Sequence, residues 1–338
     1  MIYSCNIAVV ATTMVPRGEL RPDVLPTARL RESGKAQPAL RARLRRIPNA
    51  RNVANVASVY VQTVGLLAVA IVVSHPVMWG AAFVLMGRSF GLFSILGHEA
   101  AHRLLFSRRR PNDFVGRWLL SYPAFVPFDL YRRGHFAHHR DEMGPDEPDY
   151  DLYAPYPITR DSFRRKLTRD AVGISGWKNL KGLFRGVTNP AARPVALRIL
   201  VAQAAVLATF TAIGRPELYP LLWLAPWMTG WRVLNRLRAI AEHGGMIRSP
   251  DRRETTHHVR QSRPARFWVT PFNTGWHLAH HVDMGVPFRN LPQLHSELVA
   301  SGWITPDLEY PTYTALWRKL ASRSRDQVRA VSPGSKSR

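Results

Sequence analysis

The chain has 338 residues, and its 47 Lys and Arg against 23 Asp and Glu give a formal net charge of +24. Such a charge attracts nucleic acid, anionic lipid or acidic proteins, but the sequence contains no helix-turn-helix, zinc-finger or RNA-binding signature, which argues against nucleic acid. The single cysteine, Cys5, excludes an intrachain disulfide framework and any CxxC motif for metal binding or redox chemistry.

Both ends of the chain are basic and lack a sustained apolar period. Residues 1–50 contain several Pro and Arg, so we expect most of them to form a disordered arm. Met1–Val15 is mildly apolar but lacks the positive start of a secretory signal. It is interpreted either as an anchor or as the result of a start codon upstream of Met14. Residues 322–338 are expected to form a disordered tail.

Four apolar blocks predict helices in a membrane. Val53–Ser74 is uncharged and long enough to cross a bilayer core. Pro76–Gly97 is interrupted by Arg88, and an arginine at membrane depth usually faces the bundle interior or a wet cavity. Ile199–Gly214 and the tryptophan-rich Leu218–Trp231 are shorter, so a buried soluble core is the alternative for these two. We expect two helical hairpins, over about 53–97 and 197–234.

The basic segments predict the orientation of these hairpins. The arm, the segment Arg103–Arg193 and the region after Arg232 are all rich in Lys and Arg. Short positive segments stay on the cytoplasmic side, and two hairpins place all three there. The prediction is therefore an all-α membrane protein with about four transmembrane helices and a cytoplasmic helical cap, formed by residues 51–321.

Eight of the thirteen histidines stand in three clusters with helical spacing. They are His98 and His102 in HEAAH, His135, His138 and His139 in HFAHH, and His277, His280 and His281 in HLAHH. Residues three and four apart share one face of a helix, so each cluster directs its imidazoles to one place. Neutral imidazole binds iron, zinc, copper and nickel, and eight rings exceed the needs of one ion. The clusters predict a dimetal site just beyond the helix ends, on the cytoplasmic side.

Two simpler interpretations account for less of this pattern. HEAAH matches the HExxH motif of zinc proteases, but that motif needs a third ligand and leaves two HxxHH clusters unexplained. A structural role would explain one cluster, but not three at the same membrane face. His257 and His258 lie in an Arg-rich loop and are predicted at the surface, and His75 lies at the opposite membrane face.

The three clusters, in this order, resemble the histidine boxes of integral-membrane fatty acid desaturases and related hydroxylases. The resemblance covers roughly residues 50–310 and extends to Glu147-Pro148-Asp149 and to Pro287–Pro292 with His295. It implies a non-haem diiron centre that activates O₂, with the eight box histidines as ligands. It also implies one more histidine between the second and third boxes, for which His243 is the candidate. Some desaturases have an Asn four residues earlier, where this chain has Ala239, and Asn235 lies one helical turn too far away.

Carboxylates near the boxes are candidates to accept the free ring N–H of a ligand and fix its orientation. We expect two or three of them to do so, and we prefer Glu99, Asp141, Glu242 and Asp283, with His295 as a further neighbour of the site. The full set of carboxylates is Glu99, Asp141, Glu142, Asp146, Asp149, Glu242 and Asp283.

The resemblance implies an oxidoreductase that desaturates a long acyl chain with O₂. Hydroxylation or ketolation of a lipid, alkane or carotenoid begins with the same hydrogen abstraction, so the sequence does not separate these reactions. The alternative from another class is a membrane protein that binds metal or lipid without catalysis. No haem or dinucleotide-binding segment is visible, so we expect electrons from a separate ferredoxin- or flavoprotein-type donor. The basic face suits an acidic donor or anionic lipid.

Overall fold

The computed structural model describes residues 13–324, which are mostly helical. In this range the strands are limited to β1 (His258–Val259) and β2 (Glu309–Tyr310), which pair in parallel with His258 opposite Glu309. The predicted all-α fold is confirmed. The expected tail begins inside this range, but residues 325–338 lie outside the described residues.

The α-helices of the described range follow one another in chain order. They are α1 (Pro38–Leu44), α2 (Asn49–Val73), α3 (Pro76–Ala101), α4 (Arg109–Phe114), α5 (Phe128–Arg140), α6 (Tyr150–Tyr153), α7 (Arg160–Ala171), α8 (Ile174–Thr188), α9 (Arg193–Ala212), α10 (Ala225–Met228), α11 (Gly230–His243), α12 (Arg252–Thr255), α13 (Arg263–Trp268), α14 (His277–Val282), α15 (Leu291–Ala300) and α16 (Tyr313–Leu320). Wider π-helical turns precede α5, at Val115–Ser121, and α10, at Tyr219–Leu224.

Three helical stretches within residues 13–324 are long and apolar enough to cross a membrane: Pro38–Val73, α3 and α9. α2 and α9 leave apolar side chains uncovered, and Val72 is 83% exposed while Val201 is 59% exposed. Such side chains are expected to contact lipid. α3 instead lies at the centre, and the aromatic and aliphatic side chains of its second half are buried.

The fourth predicted membrane segment is not one regular helix. Tyr219–Leu224 is π-helical, α10 follows for one turn, and the backbone breaks at Thr229 (φ −120°, ψ −85°) before α11 begins. The count of four transmembrane helices therefore stays a prediction.

Close backbone packing joins α3 to α11. A Cβ atom added to Gly87 would lie 3.3 Å from the carbonyl carbon of Gly230, and one added to Gly91 would lie 3.2 Å from the ring of Trp231. Only small residues permit this approach. Because α3 ends beside His98 and α11 ends at His243, the packing of these helices brings two of the predicted metal ligands to one place.

The expectation of a disordered arm over residues 1–50 is wrong for residues 13–48, which we call the amino-terminal strap. Leu30 and Leu44 are fully buried in the main hydrophobic core. Arg41 and Arg45 bind the two carboxylate oxygens of Asp283 at 2.7 and 2.8 Å. These contacts order a segment whose own composition does not require it to fold. Residues 1–12 lie outside the described residues.

Candidate metal centre

The three histidine boxes and His243 converge on one buried centre. His98 lies in the last turn of α3 and His102 follows that helix. The second box forms the last turns of α5, the third forms α14, and His243 ends α11. Eight of these nine histidines are buried and His135 is partly buried. All the predicted ligands thus lie together at the ends of four helices.

One set of five imidazoles, which we call the first histidine group, has its ligand atoms within 4.8 Å of one another. Its members are His98, His102, His135, His139 and His280. The Nε2 atom of His135 lies 2.8 Å from that of His102 and 3.1 Å from that of His139. The Nε2 atom of His280 lies 3.0 Å from that of His139.

The remaining four imidazoles form the second histidine group, which consists of His138, His243, His277 and His281. The ligand atoms of His138, His243 and His281 lie within 4.8 Å of one another. The Nε2 atom of His277 lies 3.1 Å from that of His243 and 3.0 Å from that of His281. Histidines four residues apart stay in one group, whereas His138 and His280, the middle histidines of their boxes, join the other group.

These separations fit two ligands on a shared ion. Imidazole nitrogen binds zinc at about 2.0–2.1 Å, so two nitrogens on one such ion lie about 2.9–3.4 Å apart at the usual coordination angles. The observed separations run from 2.8 to 3.1 Å. Within residues 13–324, His98 has no hydrogen-bond partner at either buried ring nitrogen. A buried polar atom without a partner is costly, and a metal ion would satisfy one of these two nitrogens.

Burial keeps most of these rings neutral, which is the form that binds metal. Desolvation and then the neighbouring imidazoles hold the pKa of His139, His280 and His281 well below the ordinary 6.5. His138 differs. Burial lowers its pKa, but the hydrogen bond and the charge of Glu147 outweigh that effect and raise the pKa above 6.5.

Oxygen atoms hold the outer nitrogens of the second histidine group. The Nδ1 atom of His138 lies 2.5 Å from a carboxylate oxygen of Glu147, and the Nδ1 atom of His281 contacts Glu142. The carbonyl oxygen of Thr255 lies 2.8 Å from the Nδ1 atom of His243. Because a carbonyl oxygen only accepts, that Nδ1 carries the proton and the Nε2 lone pair faces the centre. Such partners orient metal ligands and raise their basicity.

The first histidine group has no such support in the described part of the chain, where no oxygen atom bonds its ring nitrogens. Packing holds these rings instead. Tyr131 stacks on His135 with 5.5 Å between the ring centres, and Phe136 meets His102 edge-on at 5.5 Å.

The preferred outer partners are distributed unevenly. Glu242 lies 3.6 Å from the Nδ1 atom of His277 and also binds Arg238 at 2.7 Å. Asp141 binds Arg248 at 2.7 Å, and Glu99 accepts from the backbone N–H of Phe288 at 3.0 Å. Asp283 binds the strap, and His295 lies beside His258 with 4.7 Å between ring centres. The side chains of Asp141, Glu99, Asp283 and His295 therefore form no hydrogen bond with a predicted ligand in the described residues. Of the wider set, Glu142 reaches a ligand and Asp146 is exposed.

Glu147 bonds the outer nitrogen of His138 but is not among the carboxylates that we expected near the boxes. It lies nine residues after His138 in an acidic, turn-rich segment, and helical spacing does not connect the two. The turn reverses the chain at Met143, whose φ is +59°, and Glu147 accepts the backbone N–H of that residue. Glu147 also accepts from the hydroxyl of Tyr153 at 2.8 Å. The sequence feature that could have identified Glu147 is its position in Glu147-Pro148-Asp149, which belongs to the resemblance to the desaturases.

The prediction that His257 and His258 lie at the surface is wrong. His257 is buried and its Nε2 atom donates to the carbonyl oxygen of Gly244 at 2.8 Å. Burial lowers the pKa of His257 to about 4. His258 is buried within 3.3 Å of Glu309. Both join the segment after α12 to the core.

A cavity of about 870 Å³ reaches from the histidines to α8 and α9. Its inner end is lined by both groups, including His98, His135 and His277. One wall carries apolar side chains, which include Phe125, Val126, Leu130, Leu183 and Ile199. A face of α11 also lines the cavity and carries Arg232, Asn235, Arg238, Ala239 and Glu242. Ala239 offers no ligand atom at the position where some desaturases have Asn.

Comparison with known proteins gives a consistent result. The fatty acid desaturase family model matches residues 74–313. Dihydrorhizobitoxine desaturase of Bradyrhizobium elkanii is 26% identical over 229 residues, which cover 62% of this chain and 65% of that protein. The sn-1 oleoyl-lipid 12-desaturase of Anabaena variabilis is 24% identical over 249 residues, or 66% and 68% of the two chains. The enzyme of the same name from Arthrospira platensis is 25% identical over 237 residues, or 64% and 66%. The chain thus spans about two thirds of the length of these relatives.

Proposed function

The chain belongs to the fatty acid desaturase family, and from that premise we propose that it desaturates a long acyl chain with O₂ at a diiron centre. The observation that carries the proposal is the pair of histidine groups at the inner end of one large cavity. A C–H bond of a substrate in that cavity would lie beside both groups.

The first histidine group would hold one iron and the second group the other. Iron bound there would supply the oxygen-activating chemistry that desaturation of an unactivated acyl chain requires. The chain itself excludes water and fixes the ligands. Glu147, Glu142 and the carbonyl oxygen of Thr255 hold Nδ1 protons of the second group, which leaves the Nε2 atoms free for metal.

The region around the cavity supports access from a membrane. Gly182 and Asn189 line the cavity and are exposed, so the cavity opens beside α8 and α9. α9 is a candidate membrane span. α8 exposes Trp177 and Phe184, at 54% and 52% of their surfaces, and basic residues lie between them in sequence. Apolar and basic side chains combined in this way are typical of a helix in the membrane interface. A substrate held in lipid would enter here.

The membrane domain would comprise residues 51–321, and the excess of Lys and Arg in the segments outside the predicted membrane helices supports a metal centre on the cytoplasmic side. Electrons would come from a separate ferredoxin- or flavoprotein-type donor. An acidic donor would be steered by the basic cap, and steering weakens as salt screens the charges. Turnover with a defined ferredoxin should therefore fall with increasing ionic strength, and a turnover independent of salt would remove the steering argument.

Product analysis tests the reaction directly. Lipids from a strain expressing the chain are profiled by mass spectrometry, with a strain expressing His277→Ala as the control. Desaturation predicts loss of two hydrogens from an acyl chain in the first strain only. Gain of one oxygen would replace the proposal with a hydroxylase or ketolase.

Metal analysis separates either enzyme from a metal- or lipid-binding protein without catalysis. About two irons per chain, with oxygen consumption that His277→Ala abolishes, would support the enzyme. Zinc alone, without iron-dependent activity, would support the binding protein.

A further inference from the structure

The wall of the cavity contains a guanidinium group that the proposed chemistry does not use. Arg232 lies in the first turn of α11 and lines the cavity. Its Nε atom donates to the carbonyl oxygen of Trp227 at 3.1 Å, and its guanidinium carbon lies 4.2 Å from the centre of the Trp227 ring. These two contacts fix the direction of the side chain. Its two terminal nitrogens have no hydrogen bond within residues 13–324.

The charge of Arg232 also has no ion-pair partner in the described range. Asp170 is the carboxylate whose charge acts on it, but that carboxylate is bonded by Arg236 and by the hydroxyl of Ser175. Arg238, further along α11, is paired with Glu242 at 2.7 Å. A partly buried cation is usually paired. Arg232 therefore offers the N–H donors of two terminal nitrogens and an unpaired charge to a ligand in the cavity.

Arg232 and His243 stand in a fixed relation because both belong to α11. Eleven residues separate them, which is about three helical turns, so the two side chains leave the same face of the helix. At about 1.5 Å per residue, their backbone positions are roughly 16 Å apart. The cavity contains both residues in its lining. A ligand that reaches from one to the other would span this distance.

We propose that Arg232 binds an oxyanion of the substrate, either a carboxylate or a phosphate, at the end of the cavity remote from the metal centre. The guanidinium fork matches the paired oxygens of both groups. The length of α11 between Arg232 and His243 would then determine how many carbons of the acyl chain separate the anion from the reacting carbon. The use of the site in oxidation rests on the proposed desaturase function, whereas the binding of the anion does not. A free fatty acid and a phospholipid both supply the required chemistry.

Binding to the purified chain in lipid nanodiscs tests this assignment without any turnover. The probes are radiolabelled oleate, lysophosphatidic acid with the same acyl chain, and oleyl alcohol, which has no charge. The wild type should bind at least one of the two anions more tightly than the alcohol. A hydrogen bond to a charged group implies a loss of about ten- to a hundredfold in anion affinity for Arg232→Gln. Its affinity for the alcohol should not change, which also shows that the cavity is intact.

Two further variants complete the test. Arg232→Lys keeps the charge without the fork and should retain part of the preference for the anion. Arg185→Gln removes an exposed charge on α8 outside the cavity lining and should bind all three probes as the wild type does. Preference for oleate would identify a free acid as the source of the anion, and preference for lysophosphatidic acid would identify a lipid phosphate. Equal anion binding by the wild type and Arg232→Gln would overturn the proposal.

Product analysis of the same variants adds a readout that a structural role of Arg232 would not change. Loss of the anion contact should raise KM more than it lowers kcat, and the new double bond should appear at more than one position. If the wild type forms no oxidised product while Arg232 still governs anion binding, the desaturase function fails and the anion site stands.

Discussion

The second histidine group is held from outside by oxygen atoms, whereas the first is held by packing alone. Glu147, Glu142 and the carbonyl oxygen of Thr255 bond the outer nitrogens of the second group, and Glu242 lies near a fourth ring. The rings of the first group contact aromatic side chains and one another. Outer carboxylates make imidazoles stronger ligands, so we expect the two histidine groups to differ in metal affinity. The second group should bind metal more tightly and fill first.

Removal of one ligand from each group is the most severe test of this difference. His280→Ala removes a ring from the first group, and His281→Ala removes a ring from the second. Each variant should keep about one iron per chain, bound at the undamaged group, and should lose more than about a hundredfold in turnover. Iron is measured by elemental analysis of the purified variants. Loss of both irons in each case would mean that the groups do not fill independently.

The outer carboxylates give the next largest effect. Glu147→Gln keeps the shape of the side chain but removes the charge, and metal affinity at the second group should fall about 10- to 100-fold. In metal titration of the chelator-treated protein, the affinities of the two binding steps should then differ less in Glu147→Gln than in the wild type. Asp141→Asn is the matched control, because its carboxylate binds Arg248 rather than a histidine. A shift of the weaker binding step alone would contradict the assignment of the groups.

The amino-terminal strap should affect both groups alike. Asp283 follows His280 and His281 directly and binds Arg41 and Arg45. Asp283→Asn removes charge-assisted hydrogen bonds to partly exposed arginines and should lower the free energy of unfolding by about 1–3 kcal/mol. The ratio of the two metal affinities should stay constant. Arg41→Gln should lower the free energy of unfolding by less in the Asp283→Asn background than in the wild type, because both changes remove the same ion pair. Thermal unfolding of the two single variants and the double variant measures these differences.

The smallest effect belongs to a strap contact far from the metal. Arg29 binds Glu297 at 2.5 Å and lowers the pKa of that carboxyl below 4.5, mainly through the hydrogen bond. A lowered folded-state pKa gives stability that is present above the unfolded-state value and is lost as the pH falls through the folded-state value. Glu297→Gln should therefore cost about 0.2–1 kcal/mol at neutral pH. The difference from the wild type should shrink as the pH falls below 4.5 and through the lowered folded-state pKa of Glu297, and metal binding at neutral pH should not change.

Local spacing explains what could be predicted from the sequence. Imidazoles three and four residues apart share a helix face, so each box could be interpreted without knowledge of the fold. The same rule places His135 and His139 in one group. It also predicts that His138, three residues after His135, points to the same place, but His138 lies in the second histidine group instead. The position of His243 needed the family resemblance, because the other histidines lie far from it in sequence.

Contacts between distant parts of the chain explain what could not be predicted. Leu30 and Leu44 are buried by packing against the main core, and no apolar period marks them beforehand. Glu147 reaches His138 only through the turn at Met143. The fourth predicted membrane segment is apolar, but the backbone breaks at Thr229, next to Gly230, which packs against Gly87 of α3. In each case the deciding partner is a residue that composition and periodicity do not identify.

The ion pair of Arg41 with Asp283 joins residues 242 positions apart. A ribosome that adds about 5–20 residues per second needs roughly 10–50 seconds to make the intervening chain. Until then Arg41 and Arg45 lack the carboxylate that binds them, and the second histidine group lacks His277 and His281. The ion pairs between the strap and Asp283, which follows α14, can therefore form only late in synthesis. A chain truncated before the third box would carry the first two boxes without His277, His280 and His281, which are three of the nine predicted ligands.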